Sequence, residues 1–375
     1  MALICHEFGK ELTDDIKQLI TLERLPALFK LSKQHDLAHL VGDALDKNGL
    51  LPSGTEAQKR FLQERNMAVY RYEQIQYELD CIFEVLENAK IHFIPLKGSV
   101  IREYYPEPWM RTSCDIDILI KEEDLQVTID VLKKELSYRY DGAGPYDANL
   151  YSESGVHLEL RYNPSAVSEK TRKVLSTIWD NVLDKSAYKL TLINEMFYFY
   201  HMEHMAGHFV VGGCGVRFFL DAYILNKTLK YNKGLKRKLL QEAGLKVFSD
   251  NVEKTAEYWF GDAEKDELVD QMEEYILNSG IYGRMENRVA IEQHNKGGLK
   301  FVLSRIFLPY NDLKFKYPRL QKYPILFPFY QVKRWFNLFN KDRRKKAAKE
   351  LKEVTTGSAT KKERTAKLLK NLNLL

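Results

Sequence analysis

The sequence predicts an α+β protein: a minimal mixed sheet flanked by N-terminal and C-terminal helical regions. Three observations predict it. Asp115-Ile116-Asp117-Ile118-Leu119-Ile120 is a short alternating strand with two carboxylates two residues apart. Ahead of it, Ile94-Pro95-Leu96 runs into a Lys97-Gly98-Ser99 turn. Behind it, Val156-His157-Leu158-Glu159-Leu160-Arg161 alternates again and carries one more acid. Helical spacing dominates the chain on either side of this stretch.

Residues 1–90 read as an N-terminal helical region. Ile20, Leu22, Leu25, Leu28, Phe29 and Leu31 recur at helical spacing, as do Leu37, Leu40, Val41 and Leu45. Asn48-Gly49 and Pro52-Ser53-Gly54 break the pattern. A long helix follows from about Glu56 to Asn88. Residues 91–190 form the α/β core, with strands at His92 to Leu96, Asp115 to Ile120 and Val156 to Arg161. A helix at Leu125 to Leu136 and two weak strands, Tyr138 to Tyr140 and Asn149 to Ser152, complete it. Residues 191–300 return to helix, beginning with the very aromatic stretch Glu195 to Phe209. Residues 301–340 are an arm of aromatics, prolines and basic residues. Residues 341–375 are a basic tail, read as a frayed helix or disorder that the fold does not need.

Composition excludes several classes. A chain of 375 residues with 45% hydrophobic and 29% charged residues is ordinary for a soluble globular protein. No run of eighteen apolar residues predicts a spanning helix, and the N-terminus lacks a basic and then apolar leader. Cys5, Cys81, Cys114 and Cys214 are scattered without a Cys-x-x-Cys pair, which favours free thiols in a reducing cytoplasm over a disulfide scaffold or zinc ribbon. The tail holds twelve Lys or Arg against four acids, a balance of +8 in a chain of net charge +5. The remaining body is therefore at −3, and the tail alone offers a general footprint for weak contact with a membrane surface or nucleic acid.

Side chains on a strand alternate faces, so Asp115 and Asp117 point together while Ile116, Ile118 and Ile120 enter a core. Paired carboxylates repel, and Mg²⁺ or Mn²⁺ relieves this because it takes carboxylate oxygens together with substrate phosphates. Glu159 on a neighbouring strand supplies a third carboxylate, with His157 and Arg161 on its face. These residues suit in-line attack of a hydroxyl on an α-phosphate assisted by metal. The Gly98-Ser99 turn can present backbone N–H groups to phosphate, with Lys97 adding charge. Arg111 either reaches the triphosphate or pairs with an Asp. His201, His204 and His208 share one helical flank, but their spacing departs from the i, i+4 pattern of helical zinc motifs, and a buried helix with polar handles near a cleft is the favoured reading. Asp221 is expected to pair with a histidine or with Arg217. The stretch Pro318 to Trp335 either packs on the body or docks on a membrane surface.

Together these residues resemble the nucleotidyltransferase superfamily. More narrowly, they resemble a bacterial family of uncharacterised nucleotidyltransferases often encoded near surface-polysaccharide genes. The resemblance rests on Leu96-Lys97-Gly98, Tyr105-Pro106, Arg111, Asp115 to Ile120, His157 to Leu160, the His201 to His208 helix and Arg217 to Asp221. It implies a nucleotidyltransferase-type mixed sheet and an NTP co-substrate with Mg²⁺ or Mn²⁺. A nucleoside monophosphate would pass to an unknown hydroxyl acceptor. Gly98 and Ser99 match the Gly-Ser signature, Asp115 and Asp117 the metal pair, and Glu159 the third acid. The interval between Ser99 and Asp115 is longer than usual in the superfamily. Competing readings are a non-catalytic nucleotide- or sugar-binding module of a polysaccharide system, and a toxin–antitoxin-type enzyme acting on tRNA or protein. The repulsion between the acids predicts that Asp117→Asn abolishes metal-dependent nucleotide binding while leaving the metal-free fold unharmed or slightly more stable.

Overall fold

The computed structural model describes residues 1–280 apart from Ser165, most of 307–336, and 359–375. Four helices open the chain: α1 (Ala2–Glu7), α2 (Asp14–Leu19), α3 (Leu25–Gln34) and α4 (Ala38–Lys47). Leu22 and Leu31, which fit the helical period, stay 56% and 46% exposed, because α3 begins only at Leu25 and turns Leu31 outward. α5 (Glu56–Asn88) runs 33 residues and is started by Thr55, whose side chain accepts from the Gln58 N–H. Its first half lays Phe61 against α4, where a Cβ on Gly42 would sit 3.0 Å from the Phe61 Cβ. Its second half turns Ile75, Leu79, Ile82 and Leu86 under the sheet. One helix thus joins two cores.

The sheet has five strands in the order β1-β2-β5-β4-β3. They are β1 (Phe93–Leu96), β2 (Asp115–Ile120), β3 (Arg139–Ala143), β4 (Asp147–Tyr151) and β5 (His157–Arg161). β1 runs antiparallel to β2, with Leu96 opposite Asp117. β2 and β5 are parallel, with Asp115 opposite His157 and Asp117 opposite Glu159. The remaining pairs are antiparallel. Alternation divides the side chains between two faces. Ile116, Ile118, Ile120, Leu158 and Leu160 are fully buried against α5 and α7 (Leu125–Leu136). The opposite face gives Leu119, with Ile94 and Leu96 of β1, to a larger helical core and keeps the acids at the point where β1 ends and β2 begins.

That larger core gathers α8 (Glu169–Leu175), α9 (Asn194–Val211), α10 (Val216–Thr228), α11 (Lys233–Glu242), α12 (Lys246–Phe260) and α13 (Glu267–Leu277). α9 is its axis. Tyr198, Phe199, Met202, Met205 and Phe209 are wholly buried and lie all round the helix, as expected of an element surrounded by others.

The tail departs from expectation. Residues 341–358 lie outside the described residues, but Ala359–Asn371 is a helix. It inserts Leu368, Leu369 and Leu372 into the main core, and the Asn373 Nδ2 donates to the Gly244 carbonyl at 3.0 Å. Leu368, Leu369, Leu372, Leu374 and Leu375 are the anchors the sequence offers for a packed tail, and the first three are buried in that core. The described part of the aromatic arm forms a small separate cluster around Leu313, Leu320 and Tyr330. Among the described residues no helix is long and apolar enough to cross a membrane. All four cysteines are free.

Candidate active site

A cavity of about 260 Å³ opens where the sheet edge meets α9 and α10. The sheet side contributes Lys97, Gly98, Asp115, Asp117, Glu159 and Arg161; the helical side contributes Tyr200, His201, His204, His208 and Phe218. Strand register explains the first set. Parallel pairing of β2 with β5 puts the two Asp residues beside His157 and Glu159, all facing away from the isoleucine core.

The carboxylates are not equivalent. Asp115, His157 and Glu159 offer ligand atoms within 4.8 Å of one another, the only such group of three His, Cys, Asp or Glu among the described residues. Asp117 stands apart from this group. It is 3% exposed, and its Oδ1 accepts from the Lys97 Nζ at 2.6 Å and the Arg161 Nε at 2.7 Å. Burial pushes the Asp117 carboxyl up, but the two cations outweigh it and hold it at about 2. Burial raises Glu159, and the Asp117 charge adds to this, so that it stands at about 7 although Arg161 also donates to it. The surroundings of Asp117 therefore argue against the expectation that Asp117→Asn is harmless to the metal-free fold. Repulsion between the acids is real at Glu159, but at Asp117 it is outweighed by buried cations that the sequence does not place.

The donor set fits a divalent ion. Two carboxylates and an imidazole converge, and burial with the neighbouring Asp117 charge keeps one of those carboxylates, Glu159, partly protonated near neutrality. His157 is preset for such a role, since its Nε2 lies 2.8 Å from the Asn149 Oδ1 and its ring stacks on Tyr151 at 4.8 Å. With the amide oxygen as acceptor, Nε2 carries the proton and Nδ1 keeps its lone pair. His157 was not singled out as a ligand from the sequence, although its place two residues before Glu159 on the same strand face was legible.

The Lys97-Gly98-Ser99 turn is tight. Lys97 adopts φ +51°, a left-handed conformation that is costly for a side-chain-bearing residue. A Cβ on Gly98 would meet the Ser113 Cβ at 3.0 Å and the Arg111 Nη1 at 3.2 Å, so any side chain there would force its neighbours aside by a few tenths of an ångström. The helix behind it, α6 (Gly98–Ile101), is a single turn running into a 3₁₀ turn at Arg102–Tyr104. Ser99 does not line the cavity, and its Oγ is buried without a hydrogen-bond partner. Arg102, 1% exposed, donates from Nε to the Gly98 carbonyl at 2.9 Å and from Nη2 to the Ser113 Oγ at 2.6 Å, leaving Nη1 without a partner. Burial, with Arg111 adding to it, lowers its pKa to about 10. Sequence reasoning missed this buried cation behind the turn.

Arg111 pairs with Asp221, not with the Asp115–Asp117 pair. Its Nη2 reaches the Asp221 Oδ2 at 2.9 Å, its Nε reaches both oxygens, and the Tyr105 hydroxyl donates to Oδ1 at 2.7 Å. The sequence suggested Arg217 or a histidine as the Asp221 partner, but Arg217 turns to Asp36 and the Thr112 carbonyl. The strut between Arg111 and Asp221 ties the β2 approach to α10.

The histidines of α9 line the cavity without forming a metal set. His201 Nε2 lies 3.1 Å from the Phe218 carbonyl. The rings of His204 and His208 pack edge to face at 4.7 Å, both against Phe218. Burial lowers His204 well below the usual imidazole range and His208 to about 4, so both are neutral at pH 7. Glu203, between His201 and His204 in sequence, is raised by burial to about 7 and accepts from the Val167 N–H at 3.1 Å.

The model of a family described as uncharacterised nucleotidyltransferase matches residues 23–261 of the chain, spanning the sheet, the cavity and most of the flanking helices. No curated protein matches it.

Proposed function

We propose that this chain, which belongs to the uncharacterised nucleotidyltransferase family, transfers a nucleoside monophosphate from an NTP to a hydroxyl acceptor in the cavity beneath α9. In that reaction the acceptor oxygen bonds to the α-phosphorus and gives up its proton to solvent, the bond from that phosphorus to the bridging oxygen breaks, and pyrophosphate leaves. The observation that carries the reading is the β2–β5 register, which sets Asp115 and Asp117 beside His157 and Glu159, with Asp115, Asp117 and Glu159 lining one cavity.

Asp115 and Glu159 would hold a divalent ion, Mg²⁺ or Mn²⁺, with Asp117 as the adjoining acid and His157 as a nitrogen donor. Such an ion supplies Lewis-acid neutralisation of charge on the phosphates. The chain's own residues do the rest. Lys97 and Arg161 bring positive charge to the acid cluster. Gly98 lets the backbone approach a phosphate closely, and Arg102 braces that turn from behind through the Gly98 carbonyl and Ser113. A buried guanidinium with an unused N–H and no carboxylate partner favours an anion nearby. Apart from Arg217, the helical wall is largely aromatic, and the neutral rings of His204 and His208 suit hydrogen bonds to an acceptor hydroxyl.

The test is incubation of the protein with each α-labelled NTP and Mg²⁺, followed by a search for label on the protein or on extract components. Label transfer that needs Mg²⁺ and is lost in Asp115→Asn and Glu159→Gln supports the proposal. Absence of Mg²⁺-dependent binding for every NTP, in a folded sample, refutes it.

A further inference from the structure

The segment Pro324–Phe336 presents a bare apolar stripe beside positive charge. It comprises a 3₁₀ turn, Pro324–Leu326, and a helix, Phe327–Phe336. One side is committed: Tyr330 is buried with Leu313 and Leu320, and Leu326 and Phe327 pack on the same small cluster. On the other side Ile325, Phe329 and Val332 are 87%, 61% and 42% exposed. Phe329 and Val332 lie three residues apart on one flank of the helix, and Ile325 stands in the turn that leads into it. Apolar surface arranged this way marks a site of contact.

Charge identifies the occupant. Between residues 313 and 341 the sequence has no Asp or Glu, while every charged residue is Lys or Arg. Lys322 and Lys333 are both exposed at the two ends of the stripe. The tail beyond adds a further balance of +8. Shallow apolar insertion combined with basic residues is the combination that holds a protein at an anionic bilayer, since neither signal alone gives stable attachment.

We propose that this segment lies in the plane of an anionic lipid surface, with Ile325, Phe329 and Val332 among the headgroups and Lys322 and Lys333 against lipid phosphates. This inference is independent of the nucleotidyl-transfer reading.

The experiment is vesicle flotation of the full chain with phosphatidylcholine alone and with phosphatidylcholine plus phosphatidylglycerol. The expected result is association with the anionic vesicles only, weakened but not abolished by high salt. The double variant Ile325→Ser/Phe329→Ser should bind anionic vesicles about tenfold or more weakly. Its melting temperature should not change, because both side chains are exposed. Lys322→Glu/Lys333→Glu should reproduce the loss at low salt. Failure of the wild-type protein to float with anionic vesicles overturns the proposal. So does undiminished flotation of the Ile325→Ser/Phe329→Ser variant, which would assign binding to the tail's charge alone. Concentration-dependent dimerisation abolished by that variant would assign the stripe to a second copy and likewise overturn it.

Discussion

Asp117→Asn should destabilise the metal-free protein, and the amount follows from its surroundings. The carboxyl is 3% exposed and accepts from Lys97 and Arg161, which hold it at about 2 against an ordinary value of 3.8. At roughly 1.36 kcal/mol for each tenfold change in proton affinity, ionised Asp117 contributes about 2 kcal/mol. Because its folded-state pKa is depressed, that contribution is fully present above about pH 4 and is lost as pH falls through about 2. Part of the loss in the variant will be recovered: the Asp117 charge helps to raise Glu159, which would then ionise more readily and keep Arg161 paired. The assay is urea unfolding of both proteins in EDTA at neutral pH and at steps toward pH 4. The expected loss is about 1–2 kcal/mol near pH 7 and does not narrow down to pH 4, where Asp117 is still ionised. An unchanged or raised midpoint at pH 7 would refute the reasoning, because it would mean that repulsion among the acids exceeds the attraction of the two cations.

Four further outcomes are expected. Without metal, Glu159 is raised from 4.5 to about 7, so the fold loses stability as pH rises through that interval; Glu159→Gln, which cannot ionise, should equal or exceed wild-type stability above pH 7 in EDTA. For the same reason Mg²⁺ should bind more tightly as pH rises toward 7 and release protons, read by calorimetry in buffers of different ionisation enthalpy; pH-independent binding would remove Glu159 from the ligand set. Asp221→Asn leaves Arg111 buried and unpaired and should cost about 3–5 kcal/mol in urea unfolding, whereas Arg111→Met/Asp221→Leu should recover most of it. Leu369→Ala should cost about 2–5 kcal/mol, and truncation after residue 358 should lower the melting temperature clearly; an unchanged melt would show that the final helix is not part of the core.

The period-two signal at Asp115 to Ile120 and His157 to Arg161 was enough to predict both strands, because alternation fixes which side chains share a face before any partner is known. The long helix from Glu56 to Asn88 and the glycine turn at Gly98 were legible for similar reasons, as local periodicity and local backbone demand. The sequence also led to the family, through short motifs spread between Leu96 and Asp221. It could not assign partners across long intervals. Arg111 and Asp221 meet only because α10 folds back on the approach to β2, and Lys97 and Arg161 reach Asp117 only because β1 and β5 flank β2. Those contacts reverse the sign of the expected effect at Asp117. The tail shows the same limit: its charge was visible, but the burial of Leu368, Leu369 and Leu372 depends on a groove built by distant helices. Face and periodicity are properties of neighbouring residues, whereas the energy of a buried charge or leucine is set by whatever the tertiary structure packs against it.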